Sequence, residues 1–304
     1  MSTSTPQATP SPLPPQQQPQ QPPPSSSPPS SNSNPPPPQD QPTIPQPTLR
    51  LQINDLRHPA SKTFLTLLPD LTSTLTTALT TIIQHLYTPP QQEQPTFHPT
   101  PPPTRSITLL LRAISGVAYT TGTELDNDHK EIHLSLSYIE TITTNGNNPN
   151  PTAELTGVLT HELVHCYQHT APPDSPNSPN PPGGLIEGIA DFVRLKAGLE
   201  PPHWKRPASA KERADKWDEG YQHTAYFLAW LEDVKVGKGA VGMLNDRLLR
   251  VGYVDGFWEG LFGRGVLELW EEYGVWLDGG GGTGSTTSGG GGGGCWEDEI
   301  VDRV

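Results

Sequence analysis

Apolar residues recur along the chain with two different spacings. Between residues 51 and 87 most of them stand three or four positions apart, which predicts a helical stripe that Pro69 would kink or restart. This stretch starts with a short alternating piece, LQIND, and the short apolar run SITLLLRAI from Ser106 predicts a buried strand. Helical and extended elements therefore both occur in the first half of the chain.

The segment KEIHLSLSYIE alternates strictly between apolar and polar residues. Ile132 and Leu134 fall on one face, whereas His133 and Ser135 fall on the other. This alternation predicts a half-exposed strand.

Helical patterns dominate the second half. Asn150 can cap a helix with Pro151 in its first position, and the helix continues through ELTGVLTHELVHCYQH. After a loop at about residues 171–184, further helices are predicted at LIEGIADFVRLKAG, GYQHTAYFLAWLEDV, AVGMLNDRLLRV and VLELWEEYGVWL. Two or three strands followed by a majority of helices predict an α+β domain.

Composition confines the folded part to the middle of the chain. Residues 1–48 are almost wholly Pro, Gln, Ser, Thr and Asn, too polar to offset the entropy of ordering, and predict a disordered arm. Residues 279–304 begin with a Gly-rich linker and predict a flexible tail. A single domain is thus expected over residues 49–278.

Charge and hydropathy narrow the classes of partner. A formal net charge of -13 disfavours nucleic acid and anionic lipid. No run of about 18 apolar residues suggests a membrane span. No signal peptide is visible, so an intracellular or non-classically secreted protein is expected, and the location itself is unknown. Two cysteines, Cys166 and Cys295, do not suggest a disulfide framework.

The motif HELVH carries the first indication of chemistry. His161 and His165 lie one helical turn apart on the same face and can direct two imidazoles at one ion. Glu162 stands beside them, where a carboxylate can take a proton from a water molecule on that ion. The pattern predicts a Zn²⁺ site with Glu162 as general base, although the motif alone also occurs by chance in surface helices.

Two acidic residues on the next predicted helix strengthen the metal hypothesis. Glu187 and Asp191 are also one turn apart, and both interrupt an apolar run in which unpaired carboxylates would be costly. One of them can be the third ligand while the other supports a ligand histidine from behind. Spacing alone leaves Asp191 and His169 open as alternatives to Glu187.

Several segments together resemble the peptidase family of plants and bacteria also known as basic secretory proteins, within the zincin group. They are GVAYTTG, EIHLSLSYI, GVLTHELVHCYQH, GLIEGIADFVRLKAG, HWKRP and KWDEGYQHTAYFLAWLE. The resemblance implies a zincin-like fold and a helix pair like that of thermolysin-type enzymes. Glu187 is then the third ligand, Asp191 supports a ligand histidine, and EIHLSLSYI is the edge strand that binds an extended peptide.

A phenol in the segment WDEGY is a candidate for stabilising negative charge. Tyr221 could donate a hydrogen bond to the oxyanion that forms during hydrolysis, although it could equally be a core tyrosine. His203 and His223 are competing candidates for this task.

These observations favour a zinc peptidase that acts on a peptide or protein substrate. One alternative is an inactive zincin-like binding module whose Pro-rich arm recruits SH3 or WW domains. Another keeps the hydrolysis but acts on a non-peptide amide or ester. The intact Glu162 favours an active enzyme over the binding module.

Overall fold

The computed structural model describes residues 43–89, 99–144, 148–173 and 179–281. Most of the arm predicted at residues 1–48, and all but the start of the tail predicted at residues 279–304, lie outside these ranges. Their disorder therefore stays a prediction.

Four strands form one mixed sheet in the order β1-β2-β4-β3. Strand β2 pairs in parallel with both β1 and β4, whereas β3 pairs antiparallel with β4. The strands are β1 (Thr48–Ile53), β2 (Ser106–Arg112), β3 (Ala118–Thr123) and β4 (Asp126–Ser135).

The edge strand differs from the one that the sequence predicted. Strand β4, which covers most of EIHLSLSYI, lies inside the sheet between β2 and β3. Strand β3 forms the edge instead, because a short turn at Glu124 and Leu125 folds it back along β4. The expectation for β4 was wrong, since alternation along one strand does not record which strands pair beside it.

Strand β4 is also more buried than its alternation suggested. Although His133 and Ser135 were expected on an exposed face, they are only 4% and 0% exposed. The ring of Tyr119 stacks on His133 with centroids 4.4 Å apart, and the Ser135 hydroxyl donates to the Ile114 carbonyl at 3.1 Å. The strand ends at Ser135, and the residues predicted to continue it form a helix.

Nine helices complete the described part of the chain and confirm the α+β class. The predicted restart at Pro69 lies between the first two, where the Asp70 side chain caps the second helix by accepting from the Ser73 N–H at 2.9 Å. No helix in the described ranges is long and apolar enough to cross a bilayer. The helices are α1 (Pro59–Leu67), α2 (Leu71–Ile82), α3 (Leu136–Thr144), α4 (Pro151–His165), α5 (Gly183–Lys196), α6 (Tyr221–Trp230), α7 (Ala240–Arg250), α8 (Phe257–Phe262) and α9 (Val266–Trp276).

Helix α4 lies at the centre of the domain. It contacts α2, α3, α5 and the edge strand β3, and its residues Leu155, Leu159 and Leu163 are fully buried. A helix covered on nearly every side must satisfy its polar side chains internally. The Glu154 carboxylate accepts hydrogen bonds from the Arg194 guanidinium and the Tyr138 hydroxyl, both at 2.9 Å, which ties α4 to α5 and α3.

Helices α5 and α6 approach each other closely at a glycine. A Cβ atom on Gly188 would lie 2.2 Å from Thr224 Cγ2 and 2.5 Å from Thr224 Cβ, so no larger residue fits without movement of a helix. Thr224 is itself held by a hydrogen bond from its hydroxyl to the Trp217 carbonyl at 2.8 Å. This contact fixes where α6 begins relative to α5.

Replacing Gly188 by Ala tests this packing. Helix propensity alone would stabilise the variant by about 1 kcal/mol, but overpacking against Thr224 costs about 1–3 kcal/mol. We expect a lower melting temperature, by about 2–4 °C for each kcal/mol of net loss in a domain of this size. Gly279→Ala is the control, because a Cβ there meets no atom within 4 Å; an equal or raised melting temperature for Gly188→Ala would contradict the close approach.

Candidate active site

Helix α4 brings the two histidines of HELVH together as the sequence predicted. The helix begins where expected, with the Asn150 side chain accepting from the Ala153 N–H at 3.0 Å. One turn separates His161 from His165, and their Nε2 atoms lie 3.0 Å apart with the ring planes at 80°. Both imidazoles thus point a nitrogen at the same small region.

Helix α5 adds a carboxylate to this pair. Glu187 Oε2 lies 3.0 Å from His161 Nε2 and 3.7 Å from His165 Nε2. One ligand atom from each of the three residues falls within 4.8 Å of the others, the only such group of three that the described residues form. Two nitrogens and one oxygen therefore surround a point at which a metal ion could bind.

Asp191 contacts the opposite side of the His161 ring. Its Oδ1 lies 2.6 Å from His161 Nδ1, and the residue is 1% exposed. The sequence left Asp191 and His169 open as third ligands. In the structure Asp191 faces the nitrogen directed away from Glu187, and His169 Nε2 bonds the Thr100 carbonyl at 2.9 Å.

Glu162 is buried at the foot of the site, with 2% of its surface exposed. Its Oε2 accepts a hydrogen bond from the Thr120 hydroxyl of the edge strand at 2.7 Å. The structure therefore joins the candidate general base to β3.

Burial and neighbouring charges shift the pKa values of Glu162, Glu187 and His161 in different directions. Burial raises the pKa of the Glu162 carboxyl, and His165 and His161 only partly offset this. For Glu187 burial opposes ionisation, but His165 and His161 lower the pKa of this carboxyl well below its usual range. Burial disfavours the charged form of His161, yet Asp191 and Glu187 raise its pKa well above the usual value. Glu187 is thus suited to remain an ionised ligand, and Glu162 to act as a stronger base.

Comparison with known proteins identifies the family of the chain. The family described as "Peptidase of plants and bacteria" (BSP) matches residues 46–273. The chain belongs to this family. The description of the family supports a peptidase-like function. No curated protein and no solved structure matched the chain.

Tyr221 of this BSP-family chain reaches the site through a strained backbone. It is the only non-glycine residue with positive φ in the described part of the chain, at φ 44°. Its ring stacks on His161 with centroids 6.2 Å apart and planes 18° apart. Among the three candidates for the oxyanion role, this contact favours Tyr221, since His203 is exposed and residues two positions apart on a helix, as Tyr221 and His223 are, do not share a face.

A second glycine contact explains how Tyr221 is held. A Cβ on Gly184 would lie 1.8 Å from the Asp218 carbonyl oxygen and 2.9 Å from the Gly220 nitrogen. The segment before Tyr221 therefore lies directly on the first turn of α5. Helix α5, which carries Glu187, is thus in direct contact with the segment that precedes Tyr221.

Thr120 is the residue at the site that sequence reasoning missed. Its segment AYTTGT shows neither alternation nor a cluster of metal ligands, so no local pattern marks it. The only signal is that GVAYTTG was among the segments that resemble the family.

A metal titration can separate the roles of the two acidic residues on α5. Glu187→Ala removes a candidate ligand oxygen, so we expect it to abolish zinc binding nearly completely. Asp191→Asn leaves the three ligand atoms in place but loses the support of His161, which should weaken affinity by about 10 to 100-fold. The exposed substitution Asp255→Asn is the matched control and should bind zinc like the wild type. A weaker effect of Glu187→Ala than of Asp191→Asn would assign the ligand role to Asp191.

Proposed function

We propose that this member of the BSP family is a zinc-dependent peptidase with a zincin-like catalytic arrangement. The observation that carries the proposal is the group formed by His161, His165 and Glu187, beside which Glu162 is held. Two imidazole nitrogens and one carboxylate oxygen suit Zn²⁺ and leave a position for water or substrate. Bound zinc would supply Lewis acidity that polarises a carbonyl group and acidifies water.

Glu162 is the proposed general base. Its carboxylate would accept a proton from the attacking water and later donate it to the leaving amine. Because burial raises the pKa of this carboxyl, it holds a proton more readily than an exposed glutamate would. His161, supported by Asp191, and His165 hold their ring nitrogens towards the site while this transfer takes place.

Strand β3 is the proposed binding site for a peptide or protein substrate. It is the edge of the sheet on the side of α4, and it contacts that helix directly. An edge strand can pair with an extended peptide through its backbone groups. Since Thr120 of β3 bonds Glu162, a peptide paired with this strand would lie near the general base.

Tyr221 is the proposed donor to the oxyanion. Its position beside His161 and its positive φ support this role, since strained residues concentrate at functional sites. The Pro-rich arm at residues 1–48 lies largely outside the described residues, and its recruitment of SH3 or WW domains stays a prediction.

Replacing Glu162 by Gln tests the proposed chemistry. The amide keeps the shape of the side chain but accepts no proton, so we expect about one zinc per chain and loss of peptide hydrolysis. Zinc is measured by elemental analysis and turnover by digestion of a peptide library. The exposed substitution Glu140→Gln is the control. Near-normal turnover by Glu162→Gln would rule out its role as base, and a wild type without zinc would rule out the metal.

Removing the Tyr221 hydroxyl tests the oxyanion role. Loss of one oxyanion donor lowers kcat by about 10² to 10³-fold, so we expect Tyr221→Phe to lower kcat by this order while KM changes little. Tyr119→Phe provides the control, because that ring stacks on His133 on the opposite face of the sheet from Thr120. If both variants retain wild-type kcat, Tyr221 is a structural tyrosine.

A further inference from the structure

The hydroxyl group of Thr120 lies within hydrogen-bonding distance of two oxygens of the same residue. Its Oγ1 is 2.7 Å from Glu162 Oε2 and 2.9 Å from the Glu162 backbone carbonyl oxygen. A hydroxyl has one proton to donate and can also accept. Because the carbonyl and the carboxylate are both acceptors, the two oxygens share the single proton of the Thr120 hydroxyl.

The end of α4 explains why the Glu162 carbonyl needs this partner. The N–H of Cys166 would ordinarily donate to it, but instead donates to the Leu163 carbonyl at 3.1 Å because the last turn tightens. The Cys166 thiol reaches the Glu162 carbonyl only at 3.7 Å and is a weak donor. The Thr120 hydroxyl is thus the stronger donor available to this buried oxygen.

We propose that Thr120 is a positioning residue whose hydroxyl holds the Glu162 side chain in place through Oε2. This inference rests on the proposed function, in which Glu162 is the general base. The Thr120 hydroxyl donates a hydrogen bond to the ionised Oε2 and keeps its own proton throughout. When Glu162 takes a proton from water, an O–H bond of the water breaks and a new O–H bond would form at the other carboxyl oxygen, Oε1.

The position of Thr120 in the sheet supports this role. Thr120 pairs with Ile132 of β4, which is fully buried, and both residues face α4. The next residue, Thr121, points to the opposite face, and its hydroxyl donates to the Gly122 carbonyl at 3.1 Å. Of these two adjacent threonines, Thr120 contacts the candidate base and Thr121 points away from it, so Thr121 can serve as a control.

Three variants distinguish positioning from a structural role. Thr120→Val keeps the shape but removes the hydroxyl, and we expect kcat to fall about 10 to 100-fold, the usual loss for a supporting partner. KM and zinc content should remain as in the wild type. Thr120→Ser restores the hydroxyl and should recover most of kcat, and the control Thr121→Val should match the wild type. Full kcat in Thr120→Val, or no recovery in Thr120→Ser, would overturn the inference.

A thermal double-mutant cycle supplies a readout that does not depend on activity. With the bound metal retained, Thr120→Val should lower the melting temperature by about 2–4 °C, the effect of one lost hydrogen bond in a domain of this size. In a Glu162→Ala background the same substitution should lower it by clearly less, because the side-chain partner is already gone. If Thr120→Val lowered the melting temperature equally in both backgrounds, Thr120 would not interact with the Glu162 side chain, and the inference would be overturned. A wild type that cleaves no peptide would contradict the proposed function, while this cycle would still decide whether Thr120 holds Glu162.

Discussion

Helices α4 and α5 are held together by buried polar pairs at two levels, and the position of the site depends on both. Near the start of α4, Glu154 bonds Arg194. About two turns further along, His161 bonds Asp191 on one side of its ring and Glu187 on the other. Buried charges are stable only when paired, so a slip of either helix by one turn, about 5.4 Å, would leave charged groups at both levels without partners. The ion pairs therefore set the register in which the three candidate ligands meet.

Glycines extend this fixed geometry from α5 to the next helix. Gly184 and Gly188 lie one turn apart on α5 and allow the Asp218 carbonyl and Thr224 to approach the helix backbone. Because a Cβ at either position would push α6 and the segment before it outwards, the start of α6 has little freedom. The strained φ of Tyr221 at this point is maintained by the packing around it.

The sequence predicted those parts of the fold that depend on neighbours along the chain. Periodic apolar residues and local caps, such as Asn150 before α4, indicated most helices with little error. Strand β3 was missed because an edge strand facing an active site needs few apolar residues, and Leu136 was assigned to a strand because alternation does not reveal where a strand turns into a helix. The order of the strands depends on pairing between distant segments, which no local pattern records.

The same distinction separates the parts of the site that could and could not be predicted. The spacing of His161 and His165 is a property of one helix, so it was evident from the sequence. The choice between Glu187 and Asp191 depends on how α5 crosses α4, and only the structure gives their distances from the two nitrogens of the His161 ring. The contact of Thr120 with Glu162 joins a strand and a helix that are distant in sequence, and neither segment alone suggests it.

Under the proposed function, edge strand β3 contributes both to substrate binding and to the position of Glu162. Its free edge can bind an extended substrate, and the face directed at α4 holds the general base through Thr120. A peptide bound along β3 would shield the partly exposed Thr120 side chain from water, and hydrogen bonds strengthen in a less polar environment. The base would then be held most firmly when substrate is present, because the strand that receives the peptide is the strand that positions Glu162.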